Sequence, residues 1–125
     1  MIVGVGIDMI EVKRVEEKIS KENGFREMIF SNDEIKFCES KADVKFEHYA
    51  ARFAAKEAFL KATGFGLTIG YALKEIEIVN GANGKPTITL NGNFKALANQ
   101  HQWNKLHVSL THIIEVASAV VIIEQ

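Results

Sequence analysis

The sequence predicts an α+β fold, a mostly antiparallel sheet packed with one long central helix. Three observations carry this. An apolar run rich in β-branched residues, Ile2 to Ile7, opens the chain. A helical stripe of Phe46, Tyr49, Ala50, Phe53 and Leu60 follows near the middle. Short β-rich runs separated by turn residues fill most of the rest, and connections that short join antiparallel neighbours.

Residues 2–8 read as a buried strand in which Gly4 and Gly6 permit close backbone approach. A helix from Ile10 to Glu22 comes next, with Val12, Val15 and Ile19 inward and Arg14, Lys18 and Lys21 on the opposite face; Asn23-Gly24 stops it. A short helix covers Phe25–Phe30. Ser31-Asn32-Asp33-Glu34 is a capping box, so another helix runs from Asn32 to Ser40. The long helix spans Val44–Thr63 and ends at Gly64; Gly64, Gly66 and Gly70 with Thr68 form a flexible connector. Strands are expected at Leu73–Val79, Thr87–Leu90, Leu106–Leu110 and Val116–Ile123, with a helix over Asn93–Gln102. No repeat or linker divides residues 1–125, which read as a single domain.

With 47% hydrophobic and 25% charged residues the composition is that of a water-soluble domain. A net charge of −1 offers no global field for nucleic acid, and no window approaches the ~20 apolar residues of a membrane span. The N-terminal apolar run is short for a signal sequence and is interrupted by Asp8. The single cysteine, Cys38, excludes an internal disulfide, reads as a small buried hydrophobe and fits a reducing cytoplasm. His48, His101 and His107 show no metal spacing and read as ordinary surface or half-buried residues, and Trp103 as core or interface.

Glu57 breaks the apolar stripe, four residues after Phe53 and three before Leu60. A carboxylate in such a setting needs a cation or several donors. Two explanations stand. In one, Glu57 pairs with Lys61 one turn on and Asp8 caps a helix. In the other, Asp8 and Glu57 hold a hard divalent cation such as Mg²⁺.

Gly4-Val5-Gly6-Ile7-Asp8 followed by Glu11-Val12-Lys13-Arg14 resembles the first signature of the holo-acyl-carrier-protein synthases, the small class of 4′-phosphopantetheinyl transferases. Arg52 to Ala62, RFAAKEAFLKA, resembles the second signature. Phe30-Ser31, Glu34 and Cys38 fit the helix between them, and Asn83-Gly84-Lys85-Pro86 resembles the family's glycine-proline turn. The resemblance implies a 4′-phosphopantetheinyl transferase fold. It also implies an enzyme of fatty acid biosynthesis, cytoplasmic and homotrimeric, with active sites at subunit interfaces. The implied reaction is Mg²⁺-dependent: coenzyme A gives its 4′-phosphopantetheine arm to a serine of apo acyl-carrier protein, releasing adenosine 3′,5′-bisphosphate.

The same resemblance implies roles residue by residue. Asp8 and Glu57 are the metal-binding acids, and Ile10 stands where the larger class of these transferases places a third acid. Glu57 and Lys61 are the catalytic pair, with Lys61 near the leaving phosphate and the serine proton going either to Glu57 or to water on the metal. Coenzyme A contacts fall to Arg52, Lys56, Asn83, Gly84, Lys85, Pro86, Ser109, Thr111 and His112. Backbone N–H groups at Asn83-Gly84 would add an anion nest. Ile113 departs from the family, which commonly has a hydroxyl after the histidine. Arg14, Lys18 and Lys21 form a basic stripe suited to an acidic helix of the carrier protein.

Overall fold

The backbone alternation of the first strand and the small residues of the long helix decide how the protein packs. The computed structural model describes residues 1–125, and every side chain except those of Leu67 and Thr68. The elements are β1 (Ile2–Glu11), α1 (Val12–Ser20), α2 (Phe25–Ile29), α3 (Asn32–Glu39), α4 (Lys45–Thr63), β2 (Ile76–Asn80), β3 (Pro86–Leu90), α5 (Gly92–His101), β4 (Lys105–His112) and β5 (Val116–Glu124). Every strand pairing is antiparallel: β1-β5-β4 make one sheet, β2 and β3 a separate hairpin.

Helix α4 lies across β1 and β5, and the contact is close because both partners are small. A Cβ on Gly4 would stand 1.9 Å from the Ala62 carbonyl oxygen, and one on Gly6 would stand 1.8 Å from that of Ala58. No side chain fits there, so both glycines are required by the approach of the helix. Ala54, Ala55, Ala58 and Ala62 are buried on the helix side, and Ala119, Val121 and Ile123 of β5 on the sheet side. Phe59, Phe94 and Trp103 meet edge to face at one end of this core. Tyr49, Phe30, Val15 and Cys38 fill the other end. Trp103 and Cys38 are therefore core residues, and burial pushes the Cys38 thiol up to about 12.

The capping box at Ser31 forms, its hydroxyl accepting from Glu34 N and the Glu34 carboxylate accepting from Ser31 N. Several boundaries differ from the sequence expectation, three of them near the candidate site or its connector. Strand β1 continues to Glu11, because Met9, Ile10 and Glu11 find partners in Ser118, Ala117 and Val116 of β5. Asp8 is consequently mid-strand opposite Ala119, not a helix cap, and α1 begins only at Val12, whose N–H reaches the Glu115 carbonyl at 2.9 Å. The connector contains a 3-10 turn, Gly66–Ile69; the side chain of Thr68 lies outside the described ones. Strand β2 starts at Ile76 after a second 3-10 turn, Leu73–Glu75, instead of at Leu73.

The opposite face of the sheet is bare. Val3, Val5, Ile7 and Met9 point away from α4 and are 46%, 59%, 64% and 69% exposed. Among the described residues no helix is long and apolar enough to cross a membrane.

Candidate active site

Two groups of chemistry-bearing side chains are built on α4, at different faces. The first joins α4 to β1. The alternation that turns Ile7 and Met9 outward turns Asp8 toward α4, where its Oδ1 accepts from Lys61 Nζ at 2.9 Å. The same ammonium donates to the Ile7 carbonyl at 3.0 Å. Glu57 stands one turn before Lys61, half-buried. Among the described residues no cation lies within ion-pair distance of its carboxylate, so the expected Glu57–Lys61 pair is replaced by Asp8–Lys61. Burial raises the Glu57 pKa, the Asp8 charge raises it further, and Lys61 and Lys18 pull it back.

This donor set suits a magnesium ion. Mg²⁺ takes one or two carboxylates and keeps several waters. Asp8 and Glu57 provide two that repel each other across the β1–α4 contact, and no cluster of three metal-ligating side chains occurs among the described residues. Bound there, the ion would be held by Asp8 and Glu57 and would relieve their repulsion, with Lys61 free to turn outward.

Helix α1 borders this group. Arg14 and Lys18 are exposed along it, and Lys21 is exposed just past its last residue. The Lys18 ammonium lies 5.6 Å from the Phe25 ring centre and 6.0 Å from that of Phe53, so the aromatic pair fixes it at the Glu57 end of the helix.

The second group lines a cavity of about 200 Å³ between α4, α3, β4 and the β2–β3 hairpin. Arg52, Gly84, Pro86 and His112 all reach it, as the resemblance implies, and they are joined by Phe37, His48, Asn80 and Leu110. Arg52 is 2% exposed and lies 4.1 Å over the Phe37 ring. Its Nη2 donates to Asn80 Oδ1 at 3.1 Å, and its Nε is buried with no hydrogen-bond partner among the described residues. A buried guanidinium with a donor unspent is a strong draw for an anion. His112 Nδ1 is 2.8 Å from Glu47 Oε1. The carboxylate only accepts, so the bond places a proton on Nδ1 and leaves Nε2 for another partner.

Several expected contacts do not join this cavity. Lys56 is fully buried, its ammonium donating to Glu34 Oε1 at 2.7 Å and to the carbonyls of Leu73 and Ile76. With three acceptors it has no donor left for coenzyme A; it anchors the start of β2 to α4. Ser109 and Thr111 alternate with Leu110 and His112 along β4, opposite Val120 and Ser118, on the bare face of the sheet. Lys85 is exposed beside the cavity, and Asn83 Oδ1 accepts from its N–H at 3.1 Å. The Gly84 N–H is spent on the Gly81 carbonyl at 2.9 Å, so it adds nothing to an anion nest. Gly84 itself is needed where it stands, at φ +80°.

Sequence reasoning missed His48, Asn80 and Phe37. Only His48 left a signal: it is one helical turn before Arg52 and so shares its face. Asn80 and Phe37 arrive by tertiary packing.

The family model of the 4′-phosphopantetheinyl transferase superfamily matches residues 4–118. A holo-[acyl-carrier-protein] synthase of Cytophaga hutchinsonii is 46% identical, over 98% of this chain and 97% of the other. One from Clostridium kluyveri is 42% identical, over 99% and 91%. The crystal structure of the Neisseria meningitidis synthase superposes with a TM-score of 0.89 at 28% identity, covering 100% of both chains. A Bacillus anthracis synthase in complex with CoA (3′,5′-ADP) gives 0.82 at 35% identity, covering 100% of this chain and 98% of that one. Matched from end to end in sequence and in fold, the chain belongs to the holo-acyl-carrier-protein synthases of the 4′-phosphopantetheinyl transferase superfamily.

Proposed function

We propose that the protein transfers the 4′-phosphopantetheine group of coenzyme A to a serine of apo acyl-carrier protein. The reaction is Mg²⁺-dependent, releases adenosine 3′,5′-bisphosphate and serves fatty acid biosynthesis in the cytoplasm. The observation that carries this reading is the Asp8–Lys61 pair beside the unpaired, half-buried Glu57, at the end of a basic helix. That is a site for a pyrophosphate and a cation next to a docking surface for an acidic protein. Synthases whose structures contain coenzyme A share this fold, including one from Helicobacter pylori at 29% identity.

The chemistry follows from the groups present. The serine oxygen attacks the β-phosphorus of the pyrophosphate, and the bond to the adenosine bisphosphate breaks in line with it. Such transfers depend on positioning and on neutralising charge. Asp8 and Glu57 would hold the magnesium ion, which would supply charge neutralisation of the pyrophosphate. Lys61 brings a second positive charge, and its exposed ammonium is able to follow the leaving phosphate. Glu57, half-buried beside Lys61, is the carboxylate placed to accept the serine proton. Arg52 and His112 take a phosphate of coenzyme A, and Gly84-Lys85-Pro86 borders its nucleotide end.

The active unit in this reading is a homotrimer. Arg52 and Glu57 are five residues apart on α4, which turns them about 140° from each other. One chain therefore presents its two half-sites in different directions. The bare stripe Val3, Val5, Ile7 and Met9 flanks Asp8 and supplies an apolar surface for joining half-sites of neighbouring subunits.

The test is incubation of purified protein with coenzyme A, Mg²⁺ and apo acyl-carrier protein, followed by intact-mass spectrometry of the carrier. A phosphopantetheine mass gain that EDTA abolishes supports the reading. No gain, with coenzyme A still bound, rejects transfer to that carrier; no gain and no binding rejects the reading altogether.

A further inference from the structure

Two histidines meet in the Arg52 cavity, and only one of them follows from the family signatures. His48 comes from α4 and His112 from β4; their ring centres are 5.1 Å apart at 62°. Both line the cavity with Arg52, Asn80, Gly84 and Pro86. His48 also stands edge-on to Phe37, the ring that carries the Arg52 guanidinium on its face. A single aromatic thus positions His48 and Arg52 against the same space.

We propose that His48 is a further ligand-binding residue of this cavity, which takes up a proton as a phosphate of coenzyme A enters. The inference rests on the coenzyme A reading above and extends it. The charged and titratable groups around His48 are Arg52 and Glu47 on its own helix, His112 on β4, and Lys41 from the turn before α4. Cations predominate in this set. Burial, then His112, Arg52 and Lys41, hold the His48 pKa below its ordinary value, and Glu47 only partly opposes them. The free protein therefore presents His48 neutral near pH 7. An anion seated among Arg52, His112 and His48 reverses the local field. The imidazolium becomes the favoured form, both of its nitrogens donate, and the proton comes from the buffer. The buried, unspent Nε of Arg52 shows independently that this wall is short of an acceptor.

The sign is fixed by this order. His48 has a low pKa in the free protein and a higher one in the complex, so binding takes up protons and affinity falls as pH rises between the two. The thermodynamic cost of protonation also makes binding strongest in mildly acidic solution, a property a merely structural histidine would lack.

Isothermal titration of coenzyme A at pH 7, in two buffers of different ionisation enthalpy, counts the protons directly. Wild type is expected to take up more than His48→Phe by roughly half a proton or more. His48→Phe retains the packing on Phe37, and His48→Gln retains a hydrogen-bonding group, so the two variants guard against a folding defect. The wild-type affinity should fall between pH 6.5 and 8 by roughly three- to tenfold more than that of either variant. The difference between proteins removes the titration of the ligand's own phosphates. Repeating the titration with 3′-dephospho-coenzyme A identifies the phosphate: loss of the His48-dependent uptake assigns the 3′-phosphate, and its persistence overturns that placement. Equal proton counts in wild type and both variants, with coenzyme A bound, would overturn the proposal and leave the transferase reading standing. Failure of wild type to bind coenzyme A would remove both.

Discussion

Glu57 is the residue at which packing and chemistry conflict most sharply. It occupies a position where its neighbours are apolar, and burial together with Asp8 raises its pKa. A carboxylate whose folded pKa is raised favours the fold most when protonated, and that contribution is lost as pH rises through the folded pKa. At pH 7 the ionised group therefore works against the fold, and Glu57→Gln is expected to leave thermal stability unchanged or slightly higher in EDTA. Adding Mg²⁺ should raise the melting temperature of wild type and leave the variant where it was, while phosphopantetheine transfer by the variant falls by two orders of magnitude or more. A variant that still responds to Mg²⁺ in calorimetry would remove Glu57 from the metal site. Lys56 is the contrasting case, the residue just before Glu57 on α4 but wholly inside. Its pair with Glu34 is fully buried, and Glu34 in turn accepts from the backbone of Ser31 and Ile78. Removing one partner leaves the other charge uncompensated, so Lys56→Met should cost about 3–5 kcal/mol. Chemical denaturation measures it; a loss under 1 kcal/mol would mean the pair does not secure the hairpin.

At the scale of elements, the acids were legible in the sequence and the cavity was only partly so. Asp8 and Glu57 interrupt apolar patterns, and an interruption is visible without a structure. The continuation of β1 to Glu11 was not, because it depends on β5 arriving alongside from the other end of the chain. The same long-range pairing separates Ser109 and Thr111 from His112: strand alternation sends them to the other side of the sheet. Lys56 was misplaced for a related reason, since a lysine inside a signature looks like a ligand contact until Glu34 and two carbonyls are brought to it by α3 and the hairpin. The faces of helix α1 were readable though its ends were not: its inner Val12 and Val15 are buried and its basic stripe is exposed. The stripe's role is tested by Lys18→Glu, which places a negative charge beside an acidic carrier helix. The expected result is an apparent KM for apo acyl-carrier protein raised about tenfold or more, a weaker salt dependence, and unchanged coenzyme A affinity. A parallel loss of coenzyme A affinity would make Lys18 part of the nucleotide site instead.

For the whole molecule the decisive feature is the division of labour along α4. Its Glu57 side meets β1 and α1; its Arg52 side meets the hairpin and β4. A ligand long enough to present a pyrophosphate to the first and another phosphate to the second is better served by two chains than by one, given their divergence around the helix. The bare side of β1 gives the means. Val5 and Ile7 are 59% and 64% exposed on a strand whose other side carries Asp8, so association through them would set a neighbouring chain one strand's thickness from the acid group. Val5→Glu is expected to bury an unpaired charge in such an interface without disturbing Gly4, Gly6 or the α4 contact behind it. Sedimentation velocity should then show a trimer for wild type and a monomer for the variant. The circular dichroism spectrum should be retained, while transferase activity drops by more than tenfold. A monomeric variant with full activity would show that one chain holds a complete site, and the trimer would then serve stability alone. A variant that remains trimeric would move the interface off this strand. If activity and association fall together, the apolar stripe, the glycine-cleared strand behind it and the two faces of α4 act as parts of one catalytic assembly.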